Sequence, residues 1–327
     1  MPSPNATGLT PRTSDDIQLS QQRTPRQPRK LPRITGPWTL LGHDLRAQLR
    51  NRQTKGALLA LAVLPAVFTV ALIATGAARA ETVQNEVLVP SSSGITIWVL
   101  ALASTMKFFL PLAIAVFAGN AIASEAASGN LRYILASPRR RSSVFFQRVV
   151  VAGVLSILGI CALCAGALLA GVISFGWHPL TIMLASKSFA TSGPLGGLAA
   201  TRGATSILSP IAATWRLVWS TSYVACGMAT IFAFGLLLSV LFSRPFIAIS
   251  GAVGLAVVSW SLQSDMAPEL SRVSTFMPLH GIGKWQYLLL SHPEAAGTEA
   301  FVLKQVAYVS VFLLLAWWSF ARKDVLS

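Results

Sequence analysis

Acidic residues are scarce in this chain: 11 Asp and Glu stand against 26 Lys and Arg in 327 residues, leaving a net charge of +15. None of the acids falls within a long apolar run. Carriers driven by proton or sodium gradients commonly bind the coupling ion on intramembrane carboxylates. Their absence weighs against ion-driven transport, although carbonyls of broken helices can also hold sodium. Charge of either sign is thin, at 11% of residues, while 53% are hydrophobic. Ordinary soluble domains carry about a quarter charged residues, so a soluble domain is excluded. The basic excess lies beside apolar runs, which favours anionic lipid headgroups over nucleic acid as its partner.

Catalytic signatures are missing too. There is no H-E-x-x-H, no G-x-S-x-G and no phosphate-binding P-loop. Gly281-Ile282-Gly283-Lys284 has Pro278 five residues before Gly283 and Trp285 after the lysine, so it fails as a nucleotide loop. His43, His178, His280 and His292 are scattered, and no metal site, cofactor or acid–base pair is expected. The three cysteines, Cys161, Cys164 and Cys226, all lie in apolar runs and form no disulfide framework. Cys161 and Cys164 have C-x-x-C spacing, but within an apolar helix two small residues facing neighbouring helices account for it better than redox chemistry. No cleavable signal peptide is expected, because about 55 mostly polar residues precede the first apolar run.

What is abundant is apolar length. Six stretches, at 56–78, 94–121, 144–175, 217–242, 245–262 and 301–320, approach the roughly 20 residues that cross a hydrocarbon core. The predicted fold is an all-α integral membrane protein with six transmembrane helices. Basic residues set its orientation. With the N-terminus inside, eighteen of the 26 Lys and Arg lie on cytoplasmic segments. Both termini are then cytoplasmic, in a multi-pass protein of the cell membrane. The two long outer loops, 176–215 and 263–300, lack the charge or cysteines of a secreted domain, and no separate extracytoplasmic domain is predicted.

Residues 1–37 are expected to be disordered, since they are rich in Pro, Arg, Gln, Ser and Thr and have little to bury. The membrane domain is expected over 38–327. Trp38, Leu41, Leu45 and Leu49 recur at helical steps with Asp44, Arg46, Gln48 and Arg50 on other faces. That pattern suits an interfacial helix, with a cytosolic extension of the first span as the alternative. Within the second stretch Lys107 stands about 20 Å deep at 1.5 Å per residue. It either lines a translocation path or snorkels from a span that begins later. Pro111, one turn on, is expected to kink this helix.

The densest charge between the first and last spans runs from Glu125 to Arg148. A helix can continue from Ile122 to Ala136, with Ser137-Pro138 ending it and Arg139 to Arg141 at the membrane surface. The arginines alone are equally well explained as a topology signal that touches lipid phosphates.

The wider pattern is more specific. Ile122-Ala123-Ser124-Glu125, then Ser128-Gly129, Leu131-Arg132, Leu135, Ser137-Pro138 and Arg141, resembles the permease subunits of ABC-2 type ABC transporters. Asp44-Leu45-Arg46 with Arg50-Asn51-Arg52 is similar to that family's interfacial helix, and Phe320-Ala321-Arg322-Lys323-Asp324-Val325 to its C-terminus. The resemblance implies a permease that pairs with a second permease copy or paralogue, docks ATP-binding subunits and works as an exporter. ATP hydrolysis would belong to those separate subunits, so the chain is not expected to be an enzyme. It further implies a coupling helix between spans two and three, here Glu125 to Ser137. In that helix Glu125 and Arg132 would make polar contacts, Leu131 and Leu135 would fill a partner's groove, and Pro138 would set the angle of re-entry. Gly129 and Arg141 belong to the same motif. The competing functions are an ion-gradient-driven secondary transporter and a non-transporting membrane anchor or assembly protein.

Overall fold

The computed structural model describes residues 37–74, 81–83, 86–88, 93–127, 141–184, 205–263, 271–289 and 298–322. Helix α1, Pro37–Arg50, opens on a proline, which is tolerated in a first turn because its missing N–H would be unpaired there anyway. Asn51 then interrupts the helix, and its Oδ1 accepts the Gln53 amide at 3.3 Å. This caps α2, Arg52–Ala74. The interfacial segment and the first span are therefore two helices. Inside α2, Pro65 offers no N–H to the preceding turn, and Thr69 Oγ1 donates to the Pro65 carbonyl at 2.8 Å.

The second apolar stretch is divided, where the sequence suggested one kinked helix. Helix α3, Ile95–Thr105, stops before the turn 106–108, and α4, Phe109–Ala127, starts anew. Pro111 explains the division. It cannot donate to the carbonyl of Lys107, and its ring crowds that carbonyl. Within the first turn of a new helix the same proline costs little.

Helix α5, Arg141–Phe175, is the longest at 35 residues, about 52 Å at 1.5 Å per residue, and outruns a hydrocarbon core of about 30 Å. Gly176 ends it at φ 75°, the left-handed conformation that glycine adopts freely. Ser209 caps α6, Pro210–Leu241, by accepting from the Ala212 amide. A turn, 242–244, leads to α7, Pro245–Ser261. A short helix α8, Ser271–Thr275, and a 3₁₀ helix, Ile282–Leu289, precede the final α9, Thr298–Arg322. By length and composition, α2, α4, α5, α6 and α9 can each cross a membrane, while α3 and α7 are shorter apolar helices. The chain is a helical multi-pass membrane protein, as its composition required.

Four short strands add to that architecture. β1, Glu81–Val83, and β2, Glu86–Leu88, form an antiparallel hairpin. β2 pairs with β3, Leu180–Leu184, placing Val87 opposite Met183, and β3 pairs with β4, Thr205–Leu208. The sheet thus ties the segment after α2 to the segment after α5.

Small residues let the helices approach closely. A Cβ on Gly166 would lie 2.2 Å from the Ala62 carbonyl oxygen, and one on Gly171 2.0 Å from that of Gly94. At this end Ser93 Oγ donates to the His178 carbonyl at 2.7 Å, and the Gly94 amide to that of Gly176 at 3.0 Å. At the opposite end, Ser239 of α6 donates to the Gly119 carbonyl at 2.8 Å and accepts from the Ala123 amide at 2.9 Å. Around it Ala118, Ile122, Phe145, Leu236 and Phe320 form a buried core. This second end carries Arg46, Arg50, Arg52, Lys55, Arg148, Arg244 and Arg322, and is called the basic end below.

The segment 271–289 is docked on α6 and α9 through its own carbonyls. Lys304 Nζ donates to the carbonyls of Thr275, Met277 and His280 at 3.2, 2.9 and 3.3 Å. Gln305 Nε2 donates to that of Pro278 at 2.5 Å, and Tyr223 Oη to that of Gly281 at 2.9 Å. Buried irregular backbone needs such partners within a membrane protein.

Candidate functional site

Three helices meet at the basic end around one guanidinium. Arg148, in the second turn of α5, directs Nη2 at Glu125 Oε1 in the last turn of α4. Its Nη1 lies 3.9 Å from Asp44 Oδ2 on α1. Gln147 Nε2 also donates to Asp44 Oδ2, at 2.6 Å. The Arg148, Glu125 and Asp44 side chains are only 15%, 21% and 24% exposed, so water screens them little. A planar fork can serve two carboxylates at once, which a lysine ammonium does less well.

The arrangement joins the two feet of the charged loop. Glu125 precedes that loop and Arg148 follows it, so the ion pair closes a ring of 24 residues from one to the other. Asp44 ties the ring to α1. A second link lies one turn and a half up α4, where Asn120 Nδ2 donates to Gln53 Oε1 of α2 at 3.0 Å. The two feet of the loop are therefore linked by side-chain bonds to α1 and, through Asn120 of α4, to α2.

The residues singled out from sequence divide three ways. Glu125 is in the cluster, bonded within the chain. Arg141 begins α5, but its side chain is outside the described residues, as are Gly129, Leu131, Arg132, Leu135 and Pro138 altogether. The expected disorder of 1–37 likewise falls outside them, save that Pro37 starts α1. Lys107 stands apart, exposed on the turn between α3 and α4, with Phe108 and Phe109 exposed beside it. Asp44 and Arg148 were quoted in the sequence patterns without a partner for either. Their roles depend on contacts across 23 and 104 positions, which neither helical period nor motif spacing reveals.

Among the described residues, no catalytic or metal-binding constellation joins this cluster, and no group of three His, Cys, Asp or Glu could hold a metal. Cys164 Sγ lies 4.0 Å from Thr221 Oγ1 on α6, and Cys161 is exposed.

A family model described as ABC-2 family transporter protein matches residues 49–236, more than half of the chain. The match runs from the last turn of α1 through most of α6 and includes the loop between α4 and α5. No curated protein matches the chain significantly.

Proposed function

The chain belongs to the ABC-2 family of transporter proteins, and on that premise we propose that it is the membrane-spanning subunit of an ATP-driven exporter. Hydrolysis takes place on a separate ATP-binding subunit, and the permease works as a pair with a second copy or a paralogue. The basic end faces the cytoplasm, in keeping with the positive-inside rule. The chain crosses the cell membrane six times, α3 and α4 together making one crossing and α7 another.

The observation that carries this reading is the closure of the loop between α4 and α5 by Glu125 and Arg148, with Asp44 bringing in α1. A coupling helix must pass the motion of an ATPase to spans that the ATPase does not touch. The loop from Glu125 to Ser137 is that helix: Leu131 and Leu135 enter a groove on the ATPase, Arg132 makes a polar contact, and Gly129 and Pro138 shape its entry and exit. Arg141 holds the re-entry point against lipid phosphates. The ion pair then turns displacement of the loop into rotation of α4 and α5. Lys107 lies on the translocation path. A charge exposed at mid-membrane on a single chain needs water, an anionic cargo group or the second permease beside it.

Co-purification with an ATP-binding subunit, followed by ATP-dependent transport into vesicles, tests the proposal. Gly129→Pro and Arg132→Glu are expected to abolish coupling while leaving the complex assembled. If no ATP-binding subunit co-purifies and both variants transport normally, the reading fails.

A further inference from the structure

Five of the six consecutive carbonyls from Thr275 to His280 are taken by side chains of α9. Lys304 Nζ holds those of Thr275, Met277 and His280, Gln305 Nε2 that of Pro278, and Tyr308 Oη that of Phe276 at 2.5 Å. Positions 304, 305 and 308 share one face of α9. The rest of the segment is anchored differently. Leu279, Ile282, Trp285 and Leu289 are fully buried, whereas Val273, Thr275 and Phe276 are exposed. Apolar burial does not depend on charge, but a carbonyl hung on an ammonium can exchange that donor for water. Residues 273–278 are therefore the part that can detach while 279–289 stays in place.

One titratable group stands in this arrangement. His280 is half-buried, its carbonyl 3.3 Å from Lys304 Nζ and its Nδ1 3.5 Å from the hydroxyl of buried Ser274. Lys284 follows it on the same segment, and Lys304 faces it from α9. On α6, Arg216 donates to the Leu289 carbonyl and Tyr223 to that of Gly281. Glu299, the acid in the first turn of α9, is exposed. Among the described residues no ion pair joins His280, Lys284 or Lys304 to an acid. The side chains of Asp265, Glu269, Arg272 and Glu294 fall outside the described residues. Burial first, then Lys304 and Lys284, hold the His280 imidazole below its ordinary 6.5. A detached segment would return the imidazole to water, where it takes up a proton more readily. Docking is therefore complete above pH 6.5 and weakens as pH falls below it.

We propose that residues 273–280 form an acid-released latch at the end of the bundle opposite the basic one. With His280 neutral, Lys304 holds the segment on α9. A protonated imidazole sets a third positive charge beside Lys304 and Lys284 and frees it. Release would uncover Gln305 and Thr230, which are buried and bonded to each other between α9 and α6, and so open a polar cleft between two spans. The latch does not depend on ATP-driven export, so its failure would leave the transport reading standing. The orientation proposed above decides only that the pH it senses is the external one.

Hydrogen–deuterium exchange, read by mass spectrometry on the full chain in nanodiscs without nucleotide, tests the latch. Labelling times at pH 5.0 and pH 7.5 are scaled so that an unprotected amide exchanges equally at both. The amides of Phe276, Met277 and His280 bond to carbonyls three residues back. In the native chain they are expected to lose protection at pH 5.0, while peptides from α5 are unchanged. His280→Asn is neutral at both pH values and should stay protected at both. His280→Lys carries the charge permanently and Lys304→Met removes the donor, so both should lose protection already at pH 7.5. Equal protection of the native segment at the two pH values overturns the proposal. So does a loss that persists in His280→Asn, which would assign it to another group. Loss that spreads through α5 would be general acid unfolding, and it overturns the latch as well.

Discussion

Replacing Arg148 by Gln is the sharpest test of how the loop is held. At an effective dielectric constant near 20, the 3.9 Å contact with Asp44 is worth about 4 kcal/mol of gross attraction. The closer contact with Glu125 is worth somewhat more. Most of this is offset by desolvation and by mutual repulsion of the two carboxylates. Breaking a fully buried pair costs about 3–5 kcal/mol and an exposed one about 0.2–1. Side chains 15–24% exposed belong between these limits, so Arg148→Gln should cost about 2–3 kcal/mol. In a chain of this size that corresponds to a fall in Tm of about 3–4 °C. Glu125→Gln keeps the Asp44 contact and should cost about 1 kcal/mol. The double variant should cost less than the two added together, by at least about 1 kcal/mol of coupling. Arg148→Lys should recover part of the stability, because an ammonium cannot fork to both acids. The assay is thermal melting of the purified chain, run beside ATP-dependent transport. An Arg148→Gln protein that melts within 1 °C (about the scatter of such a measurement) of the native chain, with additive double-variant effects, would refute the clamp.

Four further expectations follow. Gly171→Ala places a methyl 2.0 Å from the Gly94 carbonyl oxygen, which must move; a cost of about 1–3 kcal/mol is expected. Gly254→Ala meets nothing within 4 Å and should be neutral or stabilising by up to about 1 kcal/mol in the same melt. Ser239→Ala removes the hydroxyl that bonds to Gly119, Ile122 and Ala123. Intramembrane hydrogen bonds of this kind are worth about 0.6–1.7 kcal/mol, and Ser239→Thr should lose more if the added methyl is crowded. His280 has its pKa lowered from 6.5 by burial first, then by Lys304 and Lys284. The unfolded chain then binds the proton more readily, so the stability is complete above pH 6.5 and declines as pH falls below it. His280→Asn should flatten that acid-side decline in Tm, and an unchanged slope would remove His280 from the docking of 271–289.

Some of this protein was legible in its residues alone. Apolar runs long enough to cross a bilayer, almost free of charge, leave the backbone no option but helix, because each N–H must find a carbonyl in its own segment. The prolines marked positions where that rule is broken, and Pro111 did end a helix. Its consequence was different from a kink: a proline can start a helix more cheaply than bend one, and Lys107 became a turn residue. Helical periodicity does not distinguish these outcomes.

The sheet is a different case. β2 and β3 are separated by about 90 residues, and strands so short carry no pattern that names a partner. The charged loop shows the same division most clearly. Its composition, its Pro138 and its position between apolar runs are local properties, so the sequence by itself determined that a polar, breakable segment lies there. That Glu125 reaches Arg148, and that Asp44 joins them from a helix a hundred residues earlier, depends on how α1, α4 and α5 pack. An isolated carboxylate and guanidinium are happily solvated wherever the chain places them. Only the tertiary structure removes the water and leaves each the other as its partner.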